Sequence, residues 1–219
     1  ARIAASRGHG NFSGSGIPYF PSELAGLAAY LIQEGHGVTV IDAFGEAPKR
    51  VRRTPTHWIQ GLTAAEVVER IPADTEAVAV FAHLTVAHLV TLEIVRTVRQ
   101  RFPKLPILVL ENTTKVNSYS LRRAHGQFFA AGADHVVLGF LEKRVLALLA
   151  GLAAGDPKIK SMDGVIHREW PGQIRPPIDF VEELDLDQLP FPAWELFPVA
   201  NYWSIGYAHA PFTARNTCR

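Results

Sequence analysis

The stretch EAVAVFAHLTVAHLVTLEIVRTVRQRFPKLPILVLE, residues 76–111, carries the pattern that decides the fold. It opens with the continuous apolar run EAVAVFA at residues 76–82 and closes with a second run, PILVLE, at residues 106–111. A long helix is predicted between them, over residues 86–102. Because apolar strands separated by a helix are typical of a parallel sheet covered on both faces, this stretch predicts an α/β domain.

The same alternation extends in both directions along the chain. Further strands are predicted at ARIAAS (residues 1–6), GVTVIDA (residues 37–43) and HVVLG (residues 135–139). Helices are predicted from Ser22 to Gly35, from the capping box formed by Thr63 and Glu66, over residues 120–132, and in EKRVLALLAG from Glu142. With right-handed crossovers, these elements predict a doubly wound, flavodoxin-like parallel sheet of five strands in residues 1–152.

The alternation of strands and helices ends in the second predicted unit, residues 153–219. KSMDGVIHREWPGQIRPP (residues 160–177) indicates a C-terminal hairpin with its turn near Pro171 and Gly172. DFVEELDLDQLPFPAWELFP (residues 179–198) is acidic, aromatic and interrupted by prolines. Because proline cannot continue a regular helix or a central strand, this stretch is interpreted as an extended linker.

Composition limits the class of protein. The chain has 219 residues, 47% of them hydrophobic and 20% charged, with a formal net charge of +1, which is ordinary for a globular domain. Its single cysteine excludes an internal disulfide framework and favours a reducing compartment, so we expect a cytoplasmic protein. No apolar run approaches the ~20 residues that span a bilayer. The basic run KRVRR (residues 49–53) is interpreted as a solvated loop, and no nucleic-acid site is evident.

In doubly wound sheets, ligands bind beyond the carboxyl ends of the strands. The loops at that edge are residues 7–20, 43–60, 83–85, 111–119 and 139–142. The glycine-rich GHGNFSGSG (residues 8–16) lets backbone amides approach an amide-bearing or anionic ligand closely, and the polar ENTTKVNSYS (residues 111–120) offers many short donors and acceptors. Neither loop carries a nucleotide-binding motif. The predicted ligand-binding residues are Gly8, His9, Gly10, Phe12, Tyr19, His83, Leu84, Thr85, Asn112, Thr113, Thr114, Gly139, Phe140 and Glu142. No catalytic residue is predicted, since no serine or cysteine nucleophile lies on a recognisable turn.

Four stretches together resemble one family, the cobalamin-dependent radical S-adenosylmethionine enzymes. PSELAGLAAYLIQEGHGVTVIDA (residues 21–43) is similar to the opening of their cobalamin-binding domain, and AAGADHVVLGFLEKRVLALLAG (residues 130–151) to its last strand and helix. DLDQLPFPAWELFP (residues 185–198) resembles the linker to the radical domain, and TARNTCR (residues 213–219) the start of the Cys-x3-Cys-x2-Cys motif.

The resemblance implies cobalamin bound at the carboxyl edge and a methyl group passed from methylcobalamin to a substrate radical. It implies that Cys218 is the first of three thiolates holding a [4Fe–4S] cluster, whose free iron binds S-adenosylmethionine. It also implies a small-molecule or peptide substrate and an electron donor. Because one thiolate cannot hold the cluster, we expect this chain to lead into a truncated radical domain and to lack radical activity alone. Because its first residue is Ala1 and not Met, we also expect the N-terminus to be trimmed or processed.

The chain departs from the family pattern at several positions. Glu111 and Asn112 stand where many relatives have paired glycines, and GFLEK (residues 139–143) replaces a Gly-Glu-Gly-Glu-like run. The Asp-x-His-x-x-Gly string whose histidine ligates cobalt is absent, which implies cobalt without a protein imidazole unless His9 serves. Two alternatives therefore stay open: a cyclase or rearrangement enzyme with the same cofactors, and a vestigial binding module without corrinoid.

Overall fold

The computed structural model describes residues 2–4, 20–54, 58–82, 85–111, 121–169 and 186–204. The strands are β1 Arg2–Ala4, β2 Val51–Arg53, β3 Trp58–Gln60, β4 Val78–Ala82, β5 Ile107–Glu111, β6 His135–Val137 and β7 Val165–His167. The α-helices are α1 Ser22–Gln33, α2 Ala64–Glu69, α3 His88–Arg101, α4 Leu121–Ala131, α5 Glu142–Ala154 and α6 Val199–Trp203. Within these ranges, none of the helices combines the length and the apolar character needed to cross a membrane.

A four-stranded sheet with the order β4-β5-β6-β7 forms the centre of the molecule. Strands β4, β5 and β6 are parallel, with Val80 opposite Val109 and Leu110 opposite Val137. Strand β7 joins antiparallel to β6 and comes from the stretch predicted as a hairpin. The mixed α/β class is therefore confirmed, and three of the five predicted strands lie in a parallel arrangement.

The other two predicted strands do not join this sheet. Strand β1 pairs antiparallel with β3, with Ile3 opposite Ile59, in a separate three-stranded sheet completed by β2. Residues 37–43 form no strand. Strands β2 and β3 lie in residues 43–60, which the sequence indicated to be a ligand loop. The buried Ile59 and the partly buried Trp58 explain the difference, since they give this stretch an apolar face that short antiparallel strands can bury.

Helices cover both faces of the central sheet, as predicted. Helices α3 and α4 pack on one face through a buried cluster that includes Val95, Val98 and Phe128. Helices α1 and α5 pack on the other face through a cluster that includes Leu27 and Leu148. Strand β5, which is buried from Ile107 to Leu110, lies between these two layers.

The capping box predicted at the start of α2 is confirmed. The Glu66 backbone N–H donates to Thr63 Oγ1 at 3.0 Å, and the Thr63 backbone N–H donates to Glu66 Oε2 at 2.8 Å. The hydrogen bond from the Thr63 backbone, with the Arg50 guanidinium, lowers the pKa of Glu66 to about 2. The side chain therefore stays ionised through most acidic conditions.

The described part of the linker, residues 186–204, packs on the N-terminal end of α1. The Ala193 backbone N–H donates to the Ala25 carbonyl at 3.1 Å. The Phe20 ring lies 5.2 Å from Trp194, 5.0 Å from Phe197 and 5.3 Å from Tyr202, measured between ring centroids. These aromatic contacts attach the linker to the α/β unit.

Candidate functional site

The carboxyl ends of β4, β5 and β6 meet at one edge of the central sheet because these three strands are parallel. Four predicted ligand-binding residues are described at this edge. Thr85 follows β4 and is exposed, whereas Gly139, Phe140 and Glu142 follow β6. The topology thus brings together residues from loops that are far apart in sequence.

Glu111, the last residue of β5, joins two of these loops. Its Oε1 atom accepts a hydrogen bond from the Leu121 backbone N–H at 3.1 Å, at the start of α4. Its Oε2 atom accepts one from the Gly139 backbone N–H at 3.0 Å. The carboxylate therefore satisfies a free amide at a helix N-terminus, where a negative charge is favourable. The Gly139 amide, a predicted ligand donor, is already paired with this protein group.

Arg144, on helix α5, binds the backbone of the loop after β6. One guanidinium nitrogen donates to the carbonyl oxygens of Leu138 and Phe140, both at 3.0 Å, and the side chain is buried. Gly139 has a φ of +70°, a conformation that glycine adopts without strain. Glu142, at the start of α5, is buried. This part of the edge is consequently a fixed surface.

An open groove lies between the first turns of α3 and α4. Its volume is about 890 Å³, and it is lined by Thr85, His88, Leu89, Arg122, Arg123, Ala124 and Gln127. His88 Nε2 lies 2.8 Å from Gln127 Oε1, and the His88 ring meets the edge of Phe128 at 5.4 Å. The groove presents amide, hydroxyl and guanidinium donors beside the sheet edge.

Most of the predicted ligand-binding residues fall outside the described ranges. These residues are Gly8, His9, Gly10, Phe12, Tyr19, His83, Leu84, Asn112, Thr113 and Thr114. The predicted cluster ligand Cys218 also lies outside them. Their roles stay predictions.

Two histidines face each other away from this edge. His135 and His167 are opposite each other on β6 and β7, with ring centroids 4.7 Å apart. Burial is the main cause that lowers the pKa of His135 to about 4, and the neighbouring His167 lowers it further. Burial also lowers the pKa of His167. Both rings are therefore neutral near pH 7. Across the described ranges, no group of three or more His, Cys, Asp and Glu side chains is arranged to hold a metal ion.

Two residues of this edge were not predicted from the sequence. Glu111 was noted only as a departure from the family pattern, and its position directly after a buried strand gave no indication of which amides it would accept. Arg144 carries no sequence signal of its own, since EKRV at a helix start usually places charged side chains in solvent. Its burial depends on the carbonyl oxygens of Leu138 and Phe140, which accept hydrogen bonds from it and which only the folded structure places there.

Comparisons with known proteins returned nothing: no family model, no curated protein and no solved structure matches this chain. The function is therefore argued from the residues and geometry of the chain itself.

Proposed function

We propose that this chain is the cobalamin-binding part of a radical S-adenosylmethionine enzyme, with methyl transfer to a substrate radical as its reaction. One observation carries the proposal beyond the sequence resemblance. The parallel strands β4, β5 and β6 bring Thr85, Gly139 and Phe140 to one carboxyl edge, where doubly wound domains bind their ligands. The linker-like stretch also packs directly on this α/β unit, in keeping with a segment that leads to a second domain.

The described residues fit a large ligand rich in amide groups. Thr85, Arg122, Arg123 and Gln127 line the groove beside the edge and carry donors for carbonyl oxygens. Gly139, which lacks a side chain, allows backbone to lie close to a flat ring system. Bound cobalamin would supply the methyl-transfer chemistry, while these residues would bind and orient it.

The finer form of the fold is part of the proposal. A five-stranded, flavodoxin-like parallel sheet would need two more strands beyond the outer edge of β4, which is the terminal strand of the central sheet. The predicted segments 1–6 and 37–43 are the candidates.

Corrinoid binding is tested by equilibrium dialysis of the folded chain with hydroxocobalamin. We expect retention at micromolar protein, and weaker retention when Arg122→Gln and Arg123→Gln are combined. Arg96→Gln is the control, because it removes an exposed guanidinium from α3 that does not line the groove. This variant should bind corrinoid like the parent chain. No retained corrinoid, with an unchanged circular dichroism spectrum, would contradict the proposal.

The cluster is tested on a form of the protein that carries all three cysteines of the motif that the family resemblance implies. Iron and sulfide reconstitution should give a [4Fe–4S] absorption shoulder, and Cys218→Ala should abolish it, because three thiolates are needed at once. Cobalamin retention should survive that substitution, since the corrinoid rests on the α/β unit. An intact cluster in Cys218→Ala would remove Cys218 from the proposal.

The second candidate is a binding module of this fold that no longer holds corrinoid. Glu111 favours it, because its carboxylate takes the Gly139 amide and places a negative charge where the family resemblance implies glycines. The dialysis experiment separates the two candidates. If the parent chain retains no corrinoid and Glu111→Gly does retain it, the second candidate, a module that has lost corrinoid binding, is supported.

A further inference from the structure

The basic run KRVRR, residues 49–53, is not a simple solvated loop in the structure. Its last three residues form β2, a terminal strand of the three-stranded sheet with the order β1-β3-β2. Val51 lies opposite Gln60, and Arg53 lies opposite Trp58. Because successive side chains of a strand point to opposite faces, these four residues share one face of the sheet, the outer face.

The other face of this sheet is turned towards helix α3. Ile59 is buried there and packs with Val90 of that helix. Arg52 lies opposite Ile59, on the same inner face, and is half-buried. On the outer face, by contrast, Val51 is 44% exposed and Arg53 is also exposed. The outer face is therefore accessible to a partner.

Arg53 and Trp58 form a stacked pair on the outer face. The central guanidinium carbon of Arg53 lies over the Trp58 ring, 5.6 Å from its centroid. A cation–π contact of this kind holds the flat guanidinium against the ring. Since Arg53 is exposed, it presents a planar, positively charged group at the surface. Unpaired nucleic-acid bases stack on guanidinium planes as they do on aromatic rings.

The positive charge of this surface is not compensated by nearby carboxylates. Lys49 is exposed in the turn that leads into β2. Among the residues that the structure describes, neither Lys49 nor Arg53 has a carboxylate partner, whereas Arg50 is paired with Glu66. The four residues from Lys49 to Arg53 span at most about 14 Å, which is the length of a few nucleotides. Two unpaired cations at this spacing suit a chain of phosphates.

We propose that the outer face, together with Lys49, binds single-stranded nucleic acid. Lys49 and Arg53 neutralise phosphates, and one base stacks on the guanidinium that Trp58 holds flat. A duplex fits less well, because its paired bases are not available for stacking. A membrane also fits less well, because Val51 is the one large apolar side chain that this surface exposes within the described ranges.

Fluorescence anisotropy of a labelled oligouridylate of about ten nucleotides, titrated with the whole chain, tests the proposal. We expect saturable binding, and weaker binding when the strand is annealed to oligoadenylate. Lys49→Gln combined with Arg53→Gln should weaken binding about tenfold and reduce the slope of log Kd against log salt by roughly 1.4, since each single-strand phosphate contact contributes roughly 0.7. Arg96→Gln combined with Lys104→Gln removes two exposed charges elsewhere and is the matched control, which should bind like the parent.

Arg53→Lys separates stacking from charge. Lysine keeps the charge but has no planar group, so the affinity should fall about fivefold while the salt slope stays unchanged. Trp58→Phe keeps a ring beneath the guanidinium and should bind nearly like the parent, whereas Trp58→Leu should fall to the level of Arg53→Lys. Should Trp58→Leu fail to fold, Arg53→Lys decides alone, because its side chain is exposed.

Several outcomes would overturn the proposal. An equal loss of affinity in the control with both Arg96 and Lys104 replaced would mean that the attraction is not specific to this surface. Unchanged affinity in Arg53→Lys, or equally tight binding of polyglutamate, would show that no base is stacked and that the surface accepts any polyanion. Binding to vesicles of phosphatidylcholine and phosphatidylserine, without binding to oligouridylate, would assign the surface to a membrane. None of these outcomes depends on corrinoid retention.

Discussion

The Tyr202 hydroxyl donates a hydrogen bond of 2.6 Å to Oδ2 of Asp42, across 160 positions of sequence. The other carboxylate oxygen of Asp42 accepts from the Gly45 backbone N–H at 2.8 Å. Asn201 Nδ2 donates to the Gly45 carbonyl at 2.9 Å, so two neighbouring residues of α6 hold the same turn. The linker is thus positioned on the α/β unit by directed polar contacts as well as by aromatic packing.

The first prediction concerns this contact. Tyr202→Phe keeps the ring but removes the donor to an ionised carboxylate, and hydrogen bonds to charged groups contribute about 1.5–3 kcal/mol. We expect the free energy of unfolding in urea to fall by an amount in that range and residues 186–204 to be cleaved faster by a protease. Tyr30→Phe, on α1, is the control and should change neither measurement by a comparable amount. Equal effects of the two substitutions would contradict a specific role for Tyr202.

The second prediction concerns the carboxylate that joins two loops at the carboxyl edge. Glu111→Gln leaves one acceptor oxygen for two backbone donors and turns an amide N–H₂ towards the other, so we expect a loss of about 1–3 kcal/mol in unfolding free energy. The amides of Leu121 and Gly139 should also exchange faster with solvent than in the parent chain. Glu69→Gln, at the exposed end of α2, is the matched control. Unchanged exchange at both amides would show that the bridge contributes nothing.

Much of the fold follows from the sequence because it depends on local patterns. The apolar runs at residues 76–82 and 106–111 became β4 and β5, and Thr63 and Glu66 formed the capping box as their spacing required. Helix bounds differ by one to three residues: α4 begins at Leu121, one residue later than predicted, and α5 ends at Ala154, three residues beyond the predicted segment. These elements are determined by periodicity and by contacts three or four residues apart.

The arrangement of strands in sheets was less predictable because it depends on distant pairing. Residues 37–43 have a strand sequence but find no partner in the described structure, since the neighbouring position beside β4 is a cleft. Residues 58–60 contain the strand-favouring Trp58 and Ile59, but three residues are too few to predict a strand alone, and they become β3 by pairing with β1 and β2. The order of the apolar runs along the chain predicted that β4, β5 and β6 end at the same edge, which the parallel pairing confirms. The hydrogen-bond partners of Glu111 and Arg144 at that edge depend on the tertiary fold and could not be predicted.

The third prediction uses two glycines with opposite surroundings. Gly61 has a φ of +112°, and a Cβ there would lie 2.2 Å from the Ala43 carbonyl oxygen. Gly61→Ala should therefore destabilise the protein by more than the ~1–3 kcal/mol of backbone strain alone. Gly126, within α4, has open space around the same position, so Gly126→Ala should raise the unfolding free energy by about 0.5–1 kcal/mol. Urea denaturation measures both, and a stabilised Gly61→Ala would contradict the geometry around Ala43.

The last prediction is a loss of stability in mild acid caused by the His135–His167 pair. The folded-state pKa of His135, about 4, lies below the ordinary value of 6.5 because the ring is buried and faces His167. The unfolded chain therefore binds the proton first as the pH falls.

The pair should accordingly cost no stability above pH 6.5, and the loss should grow as the pH falls from 6.5 to about 4 and then level off, reaching roughly 3 kcal/mol. The other charged groups around the pair have opposing effects. Asp134 raises the pKa of both rings, Glu169 raises that of His167, and Lys160 lowers it. Unfolding free energies measured at pH 7 and pH 4.5 give the slope. His135→Gln should flatten it, whereas His36→Gln, remote from the pair, should leave it unchanged. If His135→Gln keeps the full acid loss, the destabilisation comes from groups other than this pair.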